Sequence, residues 1–586
     1  MLCPTQCRVL QALKRYGLAA LMVVNVHLGF AQQSNRLHEA DAAFRAGYAA
    51  ASQGDLATAR QQFERVVQLA PQIEEGHSAL GSVLYQTGDY PAAIRELEKA
   101  LALKPSDKAA QENLALAYTQ TGNSQKALEF FVKSGGTDPQ ILAAWARALA
   151  ATGKLTEAIE KTQNAITAAP QNAALYDQLG SIYAQIQDWP QAQAAFEHAL
   201  RIDPQLAAAH LHLGAVFNST QQPQRAIEEL TQALQLDPKN AVAHLELGKA
   251  FAAVNQDDAA IPHFQRAMTL APSLTEATNQ LAMALQRNGR EQEAIPLFRK
   301  VISSTPKNAE ALTNLGLALV QTGKAKEAIP CYQRALAIAP NDATIHQDLG
   351  VAYLQQSNID DSIREFRAGL AMKPNSPELH YNLGLAYKLK DDLVHAIPEL
   401  ETAAKLAPAS PDPPYTLGIL YMQQGRFDDA VAQFNTALDR RPENGDGWAM
   451  LGSVYKQQAK YDAAANALRK AIALLPNQPG PHITLAGVLQ EQGKREEAAV
   501  ERKIAADLTR VAVNRQRAVF ATNTGNALLQ KDQIADAVAR YQEAISSDPA
   551  YAEAHRQLAA AYERQGRSAD AASERQKAAS LDLQKQ

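Results

Sequence analysis

From Ala309 to Asp342 the chain reads AEALTNLGLALVQTGKAKEAIPCYQRALAIAPND, with its apolar positions in two bursts of helical period. Numbering Ala309 as position 1 puts Leu312, Leu315, Gly316 and Leu319 at positions 4, 7, 8 and 11, an i, i+3, i+4, i+7 stripe along one helix. Ala328, Tyr332 and Ala335 at positions 20, 24 and 27 form the stripe of a second helix. Gly323 at position 15 separates the two. Pro340 at position 32 stops the second, because proline lacks an N–H and restrains the residue before it. Two helices this short cannot bury their stripes alone, so the unit needs neighbours.

The neighbours are copies. From Pro170 to Pro476 prolines recur in nine successive steps of 34, leucine holds position 7 in 13 of 16 copies, and alanine holds position 20 in 15. This pattern resembles the tetratricopeptide repeat (TPR) family: Leu-Gly or Leu-Ala at 7 and 8, Ala at 20, an aromatic at 24, Ala at 27 and Pro at 32. The resemblance spans about residues 40–585. It implies an all-α fold, a right-handed superhelical solenoid of about 16 tetratricopeptide helix-turn-helix repeats.

Departures from the pattern suggest the organisation. The first repeat has Ala43 and Ala46 where larger side chains usually sit, as an end cap would. The third ends irregularly at Ser134-Gly135-Gly136, and the fourth, read as three residues short with Trp145 at position 7 and Gly153 at position 15, should kink the stack. The fourteenth places Arg502 at position 24 and lacks its proline, and the last repeat puts Arg575 there. The expected division is a leader at 1–31, a main array at 40–510, an irregular junction at 511–517 and a two-repeat module at 518–585.

In the leader, Arg8, Lys14 and Arg15 precede an apolar run from Gly17, and Gly29 and Ala31 stand at −3 and −1 to a cut before Gln32, the form of a secretory signal peptide. This predicts export to the periplasm or medium, with no integral membrane segment after removal; a retained anchor is the alternative. Cys3 and Cys7 fall in the leader, leaving Cys331 without an intramolecular partner and expected as a small buried packing residue. Formal net charge is −4, and −7 without the three leader cations, a balance that disfavours nucleic acid.

Seven of the 13 histidines (His77, His210, His244, His346, His380, His482 and His555) hold position 4, a full repeat apart, which suits a packing column and not a metal cluster. Asp257-Asp258 and Asp391-Asp392 fall in inter-helix turns, where Asp commonly caps a helix. Lys494, Arg495, Arg502, Lys503, Arg510, Arg515 and Arg517 make a basic series, a solvated face or an anionic contact site. No phosphate loop, H-E-x-x-H, C-x-x-C or G-x-S-x-G occurs, so no metal, cofactor or enzymatic activity is predicted.

In the TPR family the first helix of each unit lines the groove. Position 6 here carries amides such as Asn314 and Asn382, and position 13 carries Gln321 and Gln355, each able to donate to and accept from a peptide backbone. The position-6 amides resemble the asparagine ladder in the TPR part of protein O-GlcNAc transferases, without the transferase domain. Tyr381 and Tyr415 at position 5 and Met422 at position 12 add an apolar patch of the kind that anchors a partner. The expected function is an exported interaction scaffold or adaptor binding proteins or extended peptide segments. Its alternatives are a subunit of an envelope polysaccharide or protein export assembly, and an enzyme with an unrecognised groove site.

Overall fold

The computed structural model describes residues 29–583, with side chains from residue 36. The candidate leader up to residue 28, with Cys3 and Cys7, lies outside the described residues, and of Ala31 only the helical backbone is described. Among the described residues there are 31 helices and no strand, and no helix is long and apolar enough to cross a membrane.

The founding unit folds as its pattern predicts, into helices Ala309–Gln321 and Ala325–Ile338. Asn308 caps the first, accepting from the Ala311 N–H at 2.9 Å. Between the helices, position 15 takes a left-handed conformation in all 16 repeats. Nine of these residues are glycine, which pays no steric penalty there; Gln187, Gln221, Asn255, Ser357, Asp391, Ala459 and Asp532 accept the same turn at φ 56–61°. The turn is therefore demanded by the antiparallel packing and not merely permitted by glycine.

That packing is close. A Cβ on Gly316 (position 8) would lie 2.6 Å from the Tyr332 ring (position 24), and one on Gly418 2.7 Å from Phe434. The small residue at position 8 is the socket for the large one at position 24, and Phe63, Phe131, Phe196, Phe264, Phe298 and Phe366 are all buried there. Burying such a ring contributes roughly 2–3 kcal/mol. Where position 24 is Arg502 or Arg575, position 8 is Ala486 or Ala559, and the charged side chain stays exposed. Ser362 is the one departure from alanine at position 20; its hydroxyl is fully buried without a hydrogen-bond partner.

Contacts divide the chain into two compact units, one running to Pro306 and one from Lys307. In the first, helix Ser124–Ser134 stops early at Gly135, whose φ of 61° makes a left-handed cap, so the short third-to-fourth link is absorbed by ending a helix. In the first repeat Ala43 is buried and Ala46 exposed.

The second unit corrects one expectation. Residues 511–517 are not irregular: a single helix, Arg495–Gln530, runs for 36 residues, fusing the second helix of the fourteenth repeat to the first of the fifteenth. No proline or glycine lies between Gly493 and Gly525 to stop it. The missing proline means continuation. Cys331 is half-buried, not buried, with Sγ 3.6 Å from the Glu327 carbonyl.

Candidate functional site

The histidine column is a set of side-chain pairs. His77, His210, His346, His380, His482 and His555 each place Nδ1 2.5–2.7 Å from a glutamate 19 residues on: Glu96, Glu229, Glu365, Glu399, Glu501 and Glu574. In His77, His210, His380 and His555, Nε2 lies 2.9–3.1 Å from the carbonyl of the preceding repeat's position-32 proline. Acceptors at both nitrogens are satisfied in full only by the doubly protonated ring. Burial alone would raise Glu96 and Glu574, but hydrogen bonds from Lys99 and His77, and from Lys577 and His555, hold both below the usual carboxylate range. The seventh, His244, meets His263 at 3.1 Å instead. No repeat without His at position 4 has Glu at position 23. Gln111 and Trp448 replace the histidine and still donate to the proline carbonyls of Pro105 and Pro442. These pairs join helices and neighbouring repeats. Among the described residues no group of three or more His, Cys, Asp or Glu could hold a metal ion.

The Asp pairs divide the same way. Asp392 caps its helix, accepting from the His395 N–H at 3.2 Å. Asp257 and Asp258 do not cap; they accept from Arg287 (2.7 and 3.0 Å) and Asn288 (2.6 Å) of the next repeat. Asp360, Asp428 and Asp462 at position 18 likewise accept from Lys390, Gln458 and Gln492 at position 14 of the following unit.

What remains for function is the face built by the first helices. In the first unit, four of them enclose an open cavity of about 370 Å³ whose walls include Tyr85, Gln86, Asn113, Gln140, Arg147 and Gln178. Gln178, at position 6, donates from Nε2 to the Ala143 carbonyl at 2.9 Å and accepts weakly from Arg147 at 3.4 Å. Arg147 has no other hydrogen bond and no ion pair among the described residues. Burial draws its pKa down, with only the Tyr85 phenol acting the other way. Farther along the same unit, comparable groups are tied together: Asp177 to His212 (2.8 Å), Asn218 to Glu246 (2.9 Å), and Lys249 to Glu246 (2.9 Å) and Glu276. A guanidinium without a carboxylate, opening into a cavity walled by amides, suits an anionic group on an extended chain.

The second unit holds the residues predicted from sequence. Tyr381, Tyr415 and Met422 are half-buried and pack on one apolar cluster. The Tyr381 hydroxyl lies 3.4 Å from the Thr416 hydroxyl of the next repeat, and the Tyr415 ring meets Phe434 edge-on at 5.9 Å. Both tyrosines thus contribute to stacking while keeping an open edge. Asn314 and Asn382 are half-buried, and Gln321 and Gln355 are exposed at the ends of their helices. Asp348, at position 6 between them, has no ion pair or hydrogen bond among the described residues; burial, with Asp342 adding, raises its pKa to about 6.

Sequence reasoning missed Arg147. Position 9 carries a charge only at Arg147 and Lys249, and Lys249 has its acids at Glu246 and Glu276. A tabulation of that position would have exposed the unmatched cation.

Family models match in several places. One described as tetratricopeptide repeat covers 28–72, 78–140, 143–207 and 178–241, and one described as TPR repeat covers 525–566. The TPR domain of cytochrome c-type biogenesis protein H matches 219–346, and the C-terminal domain of cilia and flagella-associated protein 70 matches 299–518. No curated protein matches. Among solved structures, YrrB, described as a TPR protein with an unusual peptide-binding site, is 26% identical over 32% of this chain and 96% of its own, with a TM-score of 0.30. MamA is 29% identical over 28% and 97%, with a TM-score of 0.27. The anaphase-promoting-complex assembly Cut9–Hcn1 is 15% identical over 89% and 96%, with a TM-score of 0.32.

Proposed function

The chain is a tetratricopeptide repeat protein, and from that premise we propose that it is a non-enzymatic scaffold that binds an extended segment of a partner protein along its first-helix face. The observation that carries the reading is the cavity at Arg147, where amides that can bond a peptide backbone surround a cation lacking a carboxylate. The segment it suits carries an acidic side chain. In the second unit the open edges of Tyr381, Tyr415 and Met422 offer apolar anchors beside Asn382 and Gln355. Export, resting on residues 1–31, is part of the proposal; intact mass of the secreted chain beginning at Gln32 is its check.

The test is selection of extended peptides from a random display library on the full chain. Recovered sequences should be enriched in Asp or Glu at one register, and Arg147→Glu should invert that preference while leaving helicity unchanged. Recovery of the same acidic peptides by the variant would place binding elsewhere.

A further inference from the structure

The helix Arg495–Gln530 packs at one end on Pro479–Glu491 and at the other on Ile534–Ser547. Between buried Ala505 and Ala518, no residue from 506 to 517 is buried. Every other link between repeats is a turn that returns the chain for close packing; here the fusion leaves helix surface without a neighbour. Beside it runs a trough of about 610 Å³, lined by Ile483, Arg502, Thr509, Arg510, Val513 and Arg517. Offsets of 7, 8, 11 and 15 residues from Arg502 place the helix residues on one face, and Phe520, 76% exposed, falls at offset 18 on the same face.

The face has a definite chemistry. From 502 to 517 there are five cations and the single acid Asp507, in a chain of net charge −4. Arg502, Arg510 and Arg517 line the trough, while Lys503, Asp507 and Arg515, at offsets of 1, 5 and 13 from Arg502, lie off its face. Asp507 holds Arg510 at 3.0 Å, and Arg515 is committed to Asp548 and lies over the Tyr551 ring at 4.9 Å. Arg502 and Arg517 make no ion pair among the described residues. Exposed Ile483 and Val513 line the trough beside these cations, and exposed Phe520 follows Arg517 on the same helix face.

We infer that this trough docks an amphipathic helix of a second protein, with carboxylates spaced seven to eight residues apart beside an apolar stripe. From Arg502 to Phe520 the site is about 27 Å long, so the partner helix needs about five turns. Cations interspersed with apolar side chains match one face of such a helix, whose own apolar stripe can cover Ile483 and Val513 as a bare phosphate surface cannot. The inference does not depend on the peptide-binding reading of the first unit.

The probe is a fluorescent synthetic helix of about five turns with Glu at the matching spacing and Leu between, titrated into the full chain by anisotropy. Saturable, salt-sensitive binding is expected, with affinity falling about tenfold or more in Arg502→Glu/Arg517→Glu. Both residues are exposed, and far-ultraviolet circular dichroism confirms that the variant is folded. A Lys-for-Glu peptide should fail to bind, and a proline-interrupted peptide of the same composition should bind much more weakly. Equal binding by the double variant or by the interrupted peptide would overturn the inference. So would binding of phosphatidylglycerol vesicles or single-stranded DNA with none of the acidic helix.

Discussion

Changing His263 to Glu should stabilise the seventh repeat and abolish its loss of stability towards acid. In the native pair, His244 Nε2 faces the Pro238 carbonyl at 3.3 Å, so that nitrogen carries the proton and Nδ1 accepts from His263 Nδ1–H at 3.1 Å. Both rings are held neutral. Burial is the main cause of the lowered pKa in each; for His244 the Pro238 carbonyl opposes it and Arg266 adds to it, and for His263 the His244 ring adds to it. Phe251 stacks on His263 at 5.7 Å and supplies no charge. A histidine with a lowered folded pKa contributes stability above the unfolded value, near 6.5, and loses it as pH falls. Glutamate at 263 would recreate the pair found in six other repeats, so His244 would gain a partner for its charged form. The pair would then no longer lose stability as pH falls through the histidine range. A charge-assisted hydrogen bond contributes roughly 1.5–3 kcal/mol; half-exposure reduces this to about 1 kcal/mol, a fivefold smaller opening constant. Native-state hydrogen exchange, corrected for intrinsic rates and read on helices Ala241–Ala253 and Asp257–Leu270 between about pH 5 and 7, measures that constant repeat by repeat. Wild-type protection that increases towards acid, or a variant that opens as readily as wild type at the acid end, would refute the reasoning.

Ser362→Ala removes a buried hydroxyl without a partner and restores the residue that other repeats carry, so the urea midpoint should rise by the equivalent of about 1 kcal/mol. Ala459→Gly relieves a left-handed alanine at φ 56° and should stabilise by about 1 kcal/mol in the same assay. Gly316→Ala drives a methyl towards the Tyr332 ring and should cost about 1–3 kcal/mol, whereas Gly480→Ala, with nothing within 4 Å, should cost nothing; paired thermal melts decide.

Periodicity carried the fold because most copies restate the two stripes, the turn and the stop. Single-residue roles were harder to read. The histidines were visible as a column, yet their partners lie 19 residues away on another helix, and only comparison of positions 4 and 23 across repeats reveals the pairing. The basic series near 502–517 is visible in the sequence, but its setting is not, because a missing proline suggests an irregular junction where the intervening residues extend a helix. Tyr381 and Tyr415 have two duties, and a sequence cannot apportion a ring between its own stack and a partner. Arg147 is conspicuous only by the acids that its neighbours lack.

The two kinds of side-chain bond also set what survives if the chain is lengthened or shortened by whole units. Histidine at position 4 and its glutamate are inherited within one 34-residue block, and the remaining contact of that histidine is to a main-chain carbonyl, which any preceding block supplies. Duplicating or excising such a block transfers the pair intact. Asp360 and Lys390, or Asp258 and Asn288, sit in different blocks, so the same event separates them and presents each to a stranger. Chimeras joined at the prolines should therefore tolerate exchange of histidine-bearing blocks freely, while their fitness at each new seam follows whether positions 18 and 14 still match.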